Sequence, residues 1–116
     1  MDEKIEKAFA VANYMNTLSN QRRIILEEYT QKLVYYVNGS TFKITPKLIN
    51  FTKTVLDLGH TDDVAFVDAN TFPVVISDVR DFFETITSMY FEATNEYAAK
   101  YADLKSKRKI ADIVEL

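Results

Sequence analysis

All of the glycine and proline residues of this 116-residue chain lie in one central stretch. The stretch runs from Gly39 to Pro73 and reads GSTFKITPKLINFTKTVLDLGHTDDVAFVDANTFP. Because glycine and proline interrupt regular helices, their confinement to the centre predicts an irregular middle between two long helices, at about residues 2–33 and 77–109. We therefore expect a helix-dominated α+β fold in which the two long helices pack antiparallel.

A short helix is predicted inside the central stretch, at about residues 46–58. Thr45 is a good N-cap, Pro46 suits the first helical position, and Gly59 can adopt the left-handed conformation that ends a helix. The predicted apolar face comprises Leu48, Phe51, Val55 and Leu58, with Ile49 and Leu56 beside it.

A β-hairpin is predicted just before that helix, at residues 33–44. Asn38 and Gly39 form a typical two-residue hairpin turn, which places Tyr35 opposite Phe42 on one face. The alternative is that residues 33–36 continue the first long helix as far as Gly39. The strand is favoured, because three β-favouring residues precede Asn38.

A second small hairpin is predicted at residues 64–76. It would join Val64–Val67 to Phe72–Ile76 through the polar residues 68–71. Because proline cannot donate a hydrogen bond to a neighbouring strand, Pro73 predicts an edge strand.

The first long segment has apolar residues at three-four spacing, with a weak point in its middle. Residues 16–20 are poor helix formers, so the helix is either continuous and bent, which we favour, or split with Ser19 capping the second piece. Leu18 and Ile25 offer a seam beside the main stripe. The main stripe comprises Ile5, Ala8, Ala12, Met15, Leu26, Tyr29, Leu33 and Tyr36.

The last segment has a more regular apolar stripe. Ser77 is the predicted N-cap, with Asp78 in the first turn opposing the positive end of the helix dipole. The stripe comprises Val79, Phe83, Ile86, Tyr90, Ala93, Tyr97, Tyr101 and Leu104, widened by Phe82 and Met89. Four of these residues, Phe83, Tyr90, Tyr97 and Leu104, recur every seven residues.

The length and composition favour one domain over residues 1–116, located in the cytoplasm. The net charge is −3, and the chain has no cysteine, which excludes disulfides and thiolate metal sites. The charged start at residues 1–4 is unlike a signal peptide, and no apolar run approaches the ~20 residues of a membrane span. Helices of ~30 residues are longer than such a domain is wide, so we expect self-association into a homodimer or a larger oligomer.

Candidate catalytic and metal-binding residues are few, and we expect no enzyme and no cofactor. His60 is the only histidine, and it is expected as an exposed residue near a helix end rather than as a general base. The two isolated glycines cannot form a phosphate-binding loop. Four nearby aspartates match no calcium-loop spacing and are better explained as turn-capping or solvated residues. They are Asp57, Asp62, Asp63 and Asp68.

A basic cluster near the end of the last helix is a candidate phosphate-binding site. Arg22 and Arg23 could join it from the first helix, and Tyr97 and Tyr101 could stack on bases. The cluster predicts the alternative function, a small regulatory protein that binds nucleic acid or a transcription or replication machine. It comprises Lys105, Lys107, Arg108 and Lys109, with Lys100 close by.

The last seven residues are a candidate interaction tail, because apolar and acidic residues alternate there. Such a segment either docks on the chain's own apolar surface or binds a groove or sheet edge of another protein. The predicted partner-binding residues are Ile110, Ile113, Val114 and Leu116.

The central sequences LVYYVNGSTFKIT (residues 33–45) and INFTKTVLDLGHTDD (residues 49–63) resemble small uncharacterised proteins of contractile-tailed phages of marine bacteria. The resemblance implies a role in virion assembly, as a structural accessory, or in modulating a host or phage machine. It implies the host cytoplasm or the virion as the location. We therefore expect a non-enzymatic, self-associating adaptor or assembly protein whose further partner is another protein.

Overall fold

Three helices and two β-hairpins follow one another in the part of the chain that the structure describes. The structure, a computed structural model, describes residues 2–115, and it describes side chains for residues 2–107. The elements are α1 (Glu3–Lys32), β1 (Val34–Val37), β2 (Ser40–Lys43), α2 (Pro46–Asp57), β3 (Asp62–Val67), β4 (Pro73–Asp78) and α3 (Val79–Glu115). The predicted helix-dominated α+β fold with two long helices is therefore confirmed.

The residues group into two compact units. The helical unit contains residues 1–29 and 95–116, and the mixed unit contains residues 30–94. The single domain expected over residues 1–116 stays a prediction.

Helix α1 is continuous through the stretch of poor helix formers at residues 16–20. The hydroxyl of Thr17 donates a hydrogen bond to the carbonyl oxygen of Asn13 at 3.0 Å, one turn earlier. This bond satisfies the hydroxyl inside the helix, so Thr17 does not have to end it. The alternative of two pieces capped by Ser19 is therefore wrong. The helix ends at Lys32, and the strand reading of residues 34–37 is confirmed.

The first hairpin in the mixed unit has the predicted turn and register. Asn38 and Gly39 both have positive φ, at 51° and 74°, as a two-residue turn of this kind requires. Tyr35 pairs with Phe42. Beyond the strands, the amide of Ile44 donates to the carbonyl of Leu33 at 2.8 Å, which extends the pairing by one step.

Helix α2 begins and ends at the predicted signals. The hydroxyl oxygen of Thr45 accepts a hydrogen bond from the amide of Leu48 at 3.1 Å. At the other end Gly59 has a φ of 89°, and the amide of His60 donates to the carbonyl of Val55 at 3.1 Å. A glycine in the left-handed region followed by this bond is the Schellman ending, which satisfies a carbonyl that the helix leaves open.

The buried face of α2 differs from the predicted one. Phe51 and Leu58 were expected to face the core, but their side chains are 54% and 70% exposed. Thr52 is buried instead, beside Val55, and its hydroxyl donates to the carbonyl oxygen of Leu48 at 2.7 Å. That bond satisfies the only polar group of Thr52, so a threonine can occupy the core position.

The second hairpin pairs β3 with β4 antiparallel, with Val64 opposite Ile76. Pro73 is the first residue of β4, a position at which a missing amide donor is tolerated. The loop is organised by the buried carboxylate of Asp68. Its Oδ1 accepts hydrogen bonds from the amides of Asn70 and Phe72, at 2.9 and 2.8 Å.

Two hydrogen bonds connect the hairpins. The side-chain Nδ2 of Asn38 donates to the carbonyl oxygen of Val75 in β4 at 3.5 Å. The amide of Ala69 donates to the carbonyl oxygen of Thr41 in β2 at 2.8 Å. Each hairpin turn therefore lies against a strand of the other hairpin, although the two sheets share no strand pairing.

Phe82, near the start of α3, lies among three other aromatic rings in the core of the mixed unit. Its ring centroid is 5.2 Å from that of Phe42, 5.3 Å from that of Phe66 and 6.0 Å from that of Tyr35. The helix and both hairpins therefore contact one another through a single side chain. The buried core comprises Phe42, Ile44, Val55, Phe66, Ile76, Val79, Phe82 and Ile86.

The start of α3 lies later than predicted. Asp78, not Ser77, is the N-cap, since its Oδ1 accepts a hydrogen bond from the amide of Asp81 at 3.0 Å. Ser77 belongs to β4, where strand pairing extends as far as Asp78. The helix also continues to Glu115, beyond the predicted end near residue 109.

In the helical unit α1 and α3 pack antiparallel. The rings of Tyr29 and Tyr97 stack with centroids 4.6 Å apart. Toward the other end, the hydroxyl of Tyr14 donates to the carbonyl oxygen of Lys107 at 3.5 Å. Residue numbers therefore fall along α1 as they rise along α3.

The buried seam of α1 combines two residues of the predicted main stripe, Met15 and Tyr29, with Leu18 and Ile25, which were expected to lie beside it. Leu18 is buried and Ile25 is half-buried, whereas Ile5 and Leu26 from the predicted stripe are 46% and 47% exposed. A pair of antiparallel helices selects the residues that recur at strictly alternating three and four. On α1 the seam is Val11, Met15, Leu18, Ile25 and Tyr29, and on α3 it includes Tyr97 and Leu104.

Candidate interaction surface

The helical unit has two long edges, one on each side of its seam. In an antiparallel pair of helices with a seven-residue repeat, each repeat places two residues in the seam, and the second follows the first by three positions. The residue just before the first of these seam positions faces the equivalent residue of the other helix across one edge. The residue just after each second seam position does so across the opposite edge. This rule places Glu28 and Glu96 on one edge, and Ile5, Leu26 and Tyr101 on the other.

The polar edge is closed by an ion triad. The Nζ of Lys100 lies 2.8 Å from Oε2 of Glu28 and 3.0 Å from Oε1 of Glu96. The hydrogen bond to Glu28, followed by that to Glu96, raises the pKa of Lys100 above its ordinary value. Both carboxylates favour the charged ammonium, so one cation neutralises facing anions from two helices.

Among the side chains that the structure describes, the apolar edge carries no charge. On α1 it consists of Ile5, Ala12, Ser19 and Leu26, which recur every seven residues, and on α3 it includes Tyr101. All of these side chains are exposed, Tyr101 by 42%. One edge of the helical unit is therefore satisfied by ion pairs, and the other presents apolar side chains to solvent.

The apolar edge is suited to helix packing. Its residues follow the same repeat as the seam, so they form a continuous stripe along about 32 Å of helix, with a slow drift around the helix axis. Of the hydrophobic side chains that α1 contributes to the helical unit, only Leu18 is fully buried in the described residues. Much of the apolar surface of α1 is thus available to another helix.

The mixed unit carries a second exposed apolar surface, on the outer face of the β3–β4 hairpin. Val67 and Val75 are 63% and 55% exposed there, and Ala65 and Pro73 lie on the same face. This surface was not predicted from the sequence. The signal was present, because residues 64–67 and 73–76 are apolar without alternation, a pattern typical of strands with two apolar faces.

Among the residues considered for catalysis or metal binding, Asp62 and Asp68 form local hydrogen bonds and His60 is exposed. His60 is exposed and its amide belongs to the end of α2. Asp68 is buried and caps its loop, and Asp62 accepts a hydrogen bond from the hydroxyl of Thr61 at 3.2 Å. Within the part of the chain that the structure describes, no group of three or more potential ligands could hold a metal ion.

The candidate phosphate-binding residues are partly neutralised by neighbouring acids. Lys107 lies 3.2 Å from the carboxylate of Asp103, and Lys100 is engaged in the triad. Lys105 is exposed, while the side chains of Arg108 and Lys109 lie outside the described residues. These ion pairs reduce the positive charge that phosphate binding requires.

The other residues of that candidate site are also engaged or dispersed. Arg23 pairs with Glu27 at 3.2 Å, and Tyr97 stacks on Tyr29. Tyr97 is therefore part of the helix seam and is not available as a platform for a base. Tyr101 contacts Tyr97 edge-on and remains partly exposed.

The predicted interaction tail lies at the end of α3. Its backbone is helical as far as Glu115. The side chains of Ile110, Ile113 and Val114, and the whole of Leu116, lie outside the described residues. Their role in partner binding stays a prediction.

Comparison of the chain with protein-family models, with curated proteins and with solved structures gives no match. Among the described residues, no helix combines the length and the apolarity that crossing a membrane requires. The apolar edge of the helical unit and the outer face of the second hairpin are the strongest candidates for functional surfaces.

Proposed function

We propose that this chain is a non-enzymatic interaction protein, an adaptor or assembly factor that associates with itself through the faces of its long helices. One observation carries the proposal: the helical unit has a polar edge closed by Lys100 and an apolar edge exposed at Ile5, Leu26 and Tyr101. A helix pair with apolar surface on one side buries that surface by adding helices, and a second pair of the same kind is the simplest source.

The helical unit buries little apolar surface by itself, so association with a second copy can bury more and is favoured energetically. Burying a leucine or isoleucine side chain is worth roughly 1.5–3 kcal/mol relative to leaving it exposed. Ile5 and Leu26 each retain nearly half of their exposure, and a partner would bury both. In a symmetric dimer each of these side chains is buried in both copies, so its contribution to the free energy of association is gained twice. This favours association of copies.

Sedimentation velocity across a range of concentrations tests self-association. We expect a species of at least twice the chain mass of 13.4 kDa, with a proportion that rises with concentration. A strictly monomeric chain at high concentration would refute the proposal. High salt should not weaken the association, since the proposed contact is apolar.

For the adaptor role we further propose that residues 110–116 bind another protein, as a phage assembly factor or accessory would. The support is the sequence pattern of the tail, together with the resemblance to phage proteins. Pull-downs from the native source with the full chain and with a chain ending at Lys109 test this role. Recovery of the same partners without the tail would remove it.

A further inference from the structure

Helix α1 carries a pattern on its apolar edge that reads the same in both directions. The edge begins with the large residue Ile5, continues with the small residues Ala12 and Ser19, and ends with the large residue Leu26. The intervals are all seven residues. Because the order of large and small side chains is the same from either end, the helix is matched in shape to a second copy that runs in the opposite direction.

From this pattern we propose that two copies of the chain pair antiparallel along α1, with Ile5 of one copy against Leu26 of the other and Ala12 against Ser19. The inference rests on the proposed self-association and names its surface, its direction and its register. Each contact occurs twice about a twofold axis, as an isologous interface requires.

The side chains suit that register. The four small residues at the centre let the two helix axes approach closely, toward the lower end of the 8–10 Å range. The large residues then lie at both ends of the contact, with Ile5 of one copy against Leu26 of the other. In the single chain these two side chains are exposed by similar amounts, 46% and 47%. A parallel pair also superposes equal sizes, so the direction is assigned from the residues that neighbour the apolar edge.

Phe9 supports the antiparallel arrangement independently. It lies one turn after Ile5 and is 57% exposed. In the proposed register Phe9 is level with Arg22 and Arg23 of the second copy, because the turn that follows Ile5 meets the turn that precedes Leu26. A guanidinium can pack over a phenylalanine ring within about 6 Å, whereas a parallel register would place two phenylalanines level with each other.

Engineered disulfides test direction and register, since the chain has no cysteine of its own. In the double variant Ala12→Cys/Ser19→Cys, the two cysteines of one copy are about 10 Å apart along the helix, too far to form a disulfide within the chain. We expect this variant to oxidise to a covalent dimer. Ala12→Cys alone should stay monomeric on a denaturing gel, because it faces a serine.

The matched control is Ala10→Cys/Gln21→Cys. Both residues are exposed on α1, and they are level with each other in the same antiparallel register but lie off the apolar edge. We expect no covalent dimer from this pair. Cross-linking of Ala12→Cys alone would indicate parallel helices and overturn the proposal, and equal cross-linking of both double variants would overturn it as well.

Charge substitution tests the surface without cross-linking. Leu26→Asp should raise the dimer dissociation constant about 100-fold, because two leucines leave the interface of each dimer. Ile24→Asp is the control: Ile24 is two residues away, equally exposed at 45% against 47%, and on another face of the helix. It should change the dissociation constant less than about threefold.

The outcomes separate this inference from the proposed self-association. If the unmodified chain is monomeric, both fail. If it dimerises but Leu26→Asp has no larger effect than Ile24→Asp, association occurs through another surface and only this inference fails. The same holds if Ala12→Cys/Ser19→Cys does not cross-link in a chain that is dimeric.

Discussion

The ammonium group of Lys100 lies 2.8 Å from a carboxylate oxygen of Glu28, a residue 72 positions away in the sequence. The pair joins the two helices of the helical unit, and Glu96 shares the same ammonium. Because all three side chains are partly exposed, water and salt weaken the attraction, and its main effect is on geometry. A shift of one helix by a turn would separate Lys100 from Glu28, so the triad favours one alignment of α1 with α3.

Replacing Lys100 with methionine should lower the melting temperature slightly and make it depend on salt. Glu28 and Glu96 would face each other without a cation, and added salt would screen their repulsion. Thermal unfolding at low and high salt measures this effect. Lys107→Met is the control, since it removes an ion pair within one helix. Equal losses would contradict a role for the triad between helices.

The same triad predicts a dependence on alkaline pH. The folded-state pKa of Lys100 is raised, so its contribution to stability is fully present below the unfolded-state pKa of ~10.4. The contribution is lost as the pH rises through the higher folded-state value. The difference in melting temperature between the unmodified chain and Lys100→Met should therefore be constant from pH 7 to about 10 and shrink above that. A difference that grows with alkaline pH would contradict this reading.

Phe82→Ala should destabilise the mixed unit by about 3–5 kcal/mol, because it removes the ring shared by the helix and both hairpins. Urea unfolding followed by circular dichroism measures the change. Phe91→Ala, in the same helix but 58% exposed, should cost less than about 1 kcal/mol. Similar costs for the two variants would show that Phe82 is not central to the core.

Gly39→Ala should destabilise the first hairpin by about 1–2 kcal/mol through the backbone alone. Gly39 has a φ of 74°, and an added Cβ would meet nothing within 4 Å, so steric contact adds no cost. Gly39→Asn should be better tolerated, since asparagine adopts the left-handed region more readily. If alanine and asparagine cost the same, the conformational explanation is wrong.

Asp68→Leu should destabilise the second hairpin by about 1–3 kcal/mol, because it leaves two partly buried amides without an acceptor. Those amides belong to Asn70 and Phe72. Asp68→Asn keeps a carbonyl oxygen in place and should recover most of the stability. Equal losses from both substitutions would indicate that the charge of the carboxylate, and not its hydrogen bonding, stabilises the loop.

Features decided by neighbours in sequence could be predicted, and features decided by distant packing could not. The turn at Asn38, the cap at Thr45 and the ending at Gly59 follow from local backbone chemistry, and all three were predicted correctly. The faces of α1 and α2 were not, because Leu26 and Phe51 are at least as apolar as the residues buried in their place, which include the polar Thr52. Only the position of the neighbouring elements decides which side of a helix is buried.

The same difference between local features and features decided by distant packing applies to the candidate surface. Three-four spacing on the first helix and a seven-residue repeat on the last were visible in the sequence, and together with the helix lengths they predicted a helix pair. The polar edge was not predicted, because it depends on which of several glutamates faces Lys100 once the helices are aligned. Three residues of the apolar edge, Ile5, Ala12 and Leu26, belong to the predicted stripe but lie outside the seam that the structure shows.

The hydrogen bond from Asn38 to the carbonyl of Val75 has a consequence for aggregation. A two-stranded sheet with apolar residues on both faces is a template onto which further strands can add. On the β4 side, an incoming strand would have to displace the Asn38 amide before it could pair at Val75. The turn of one hairpin thus shields the β4 margin of the other from strand addition.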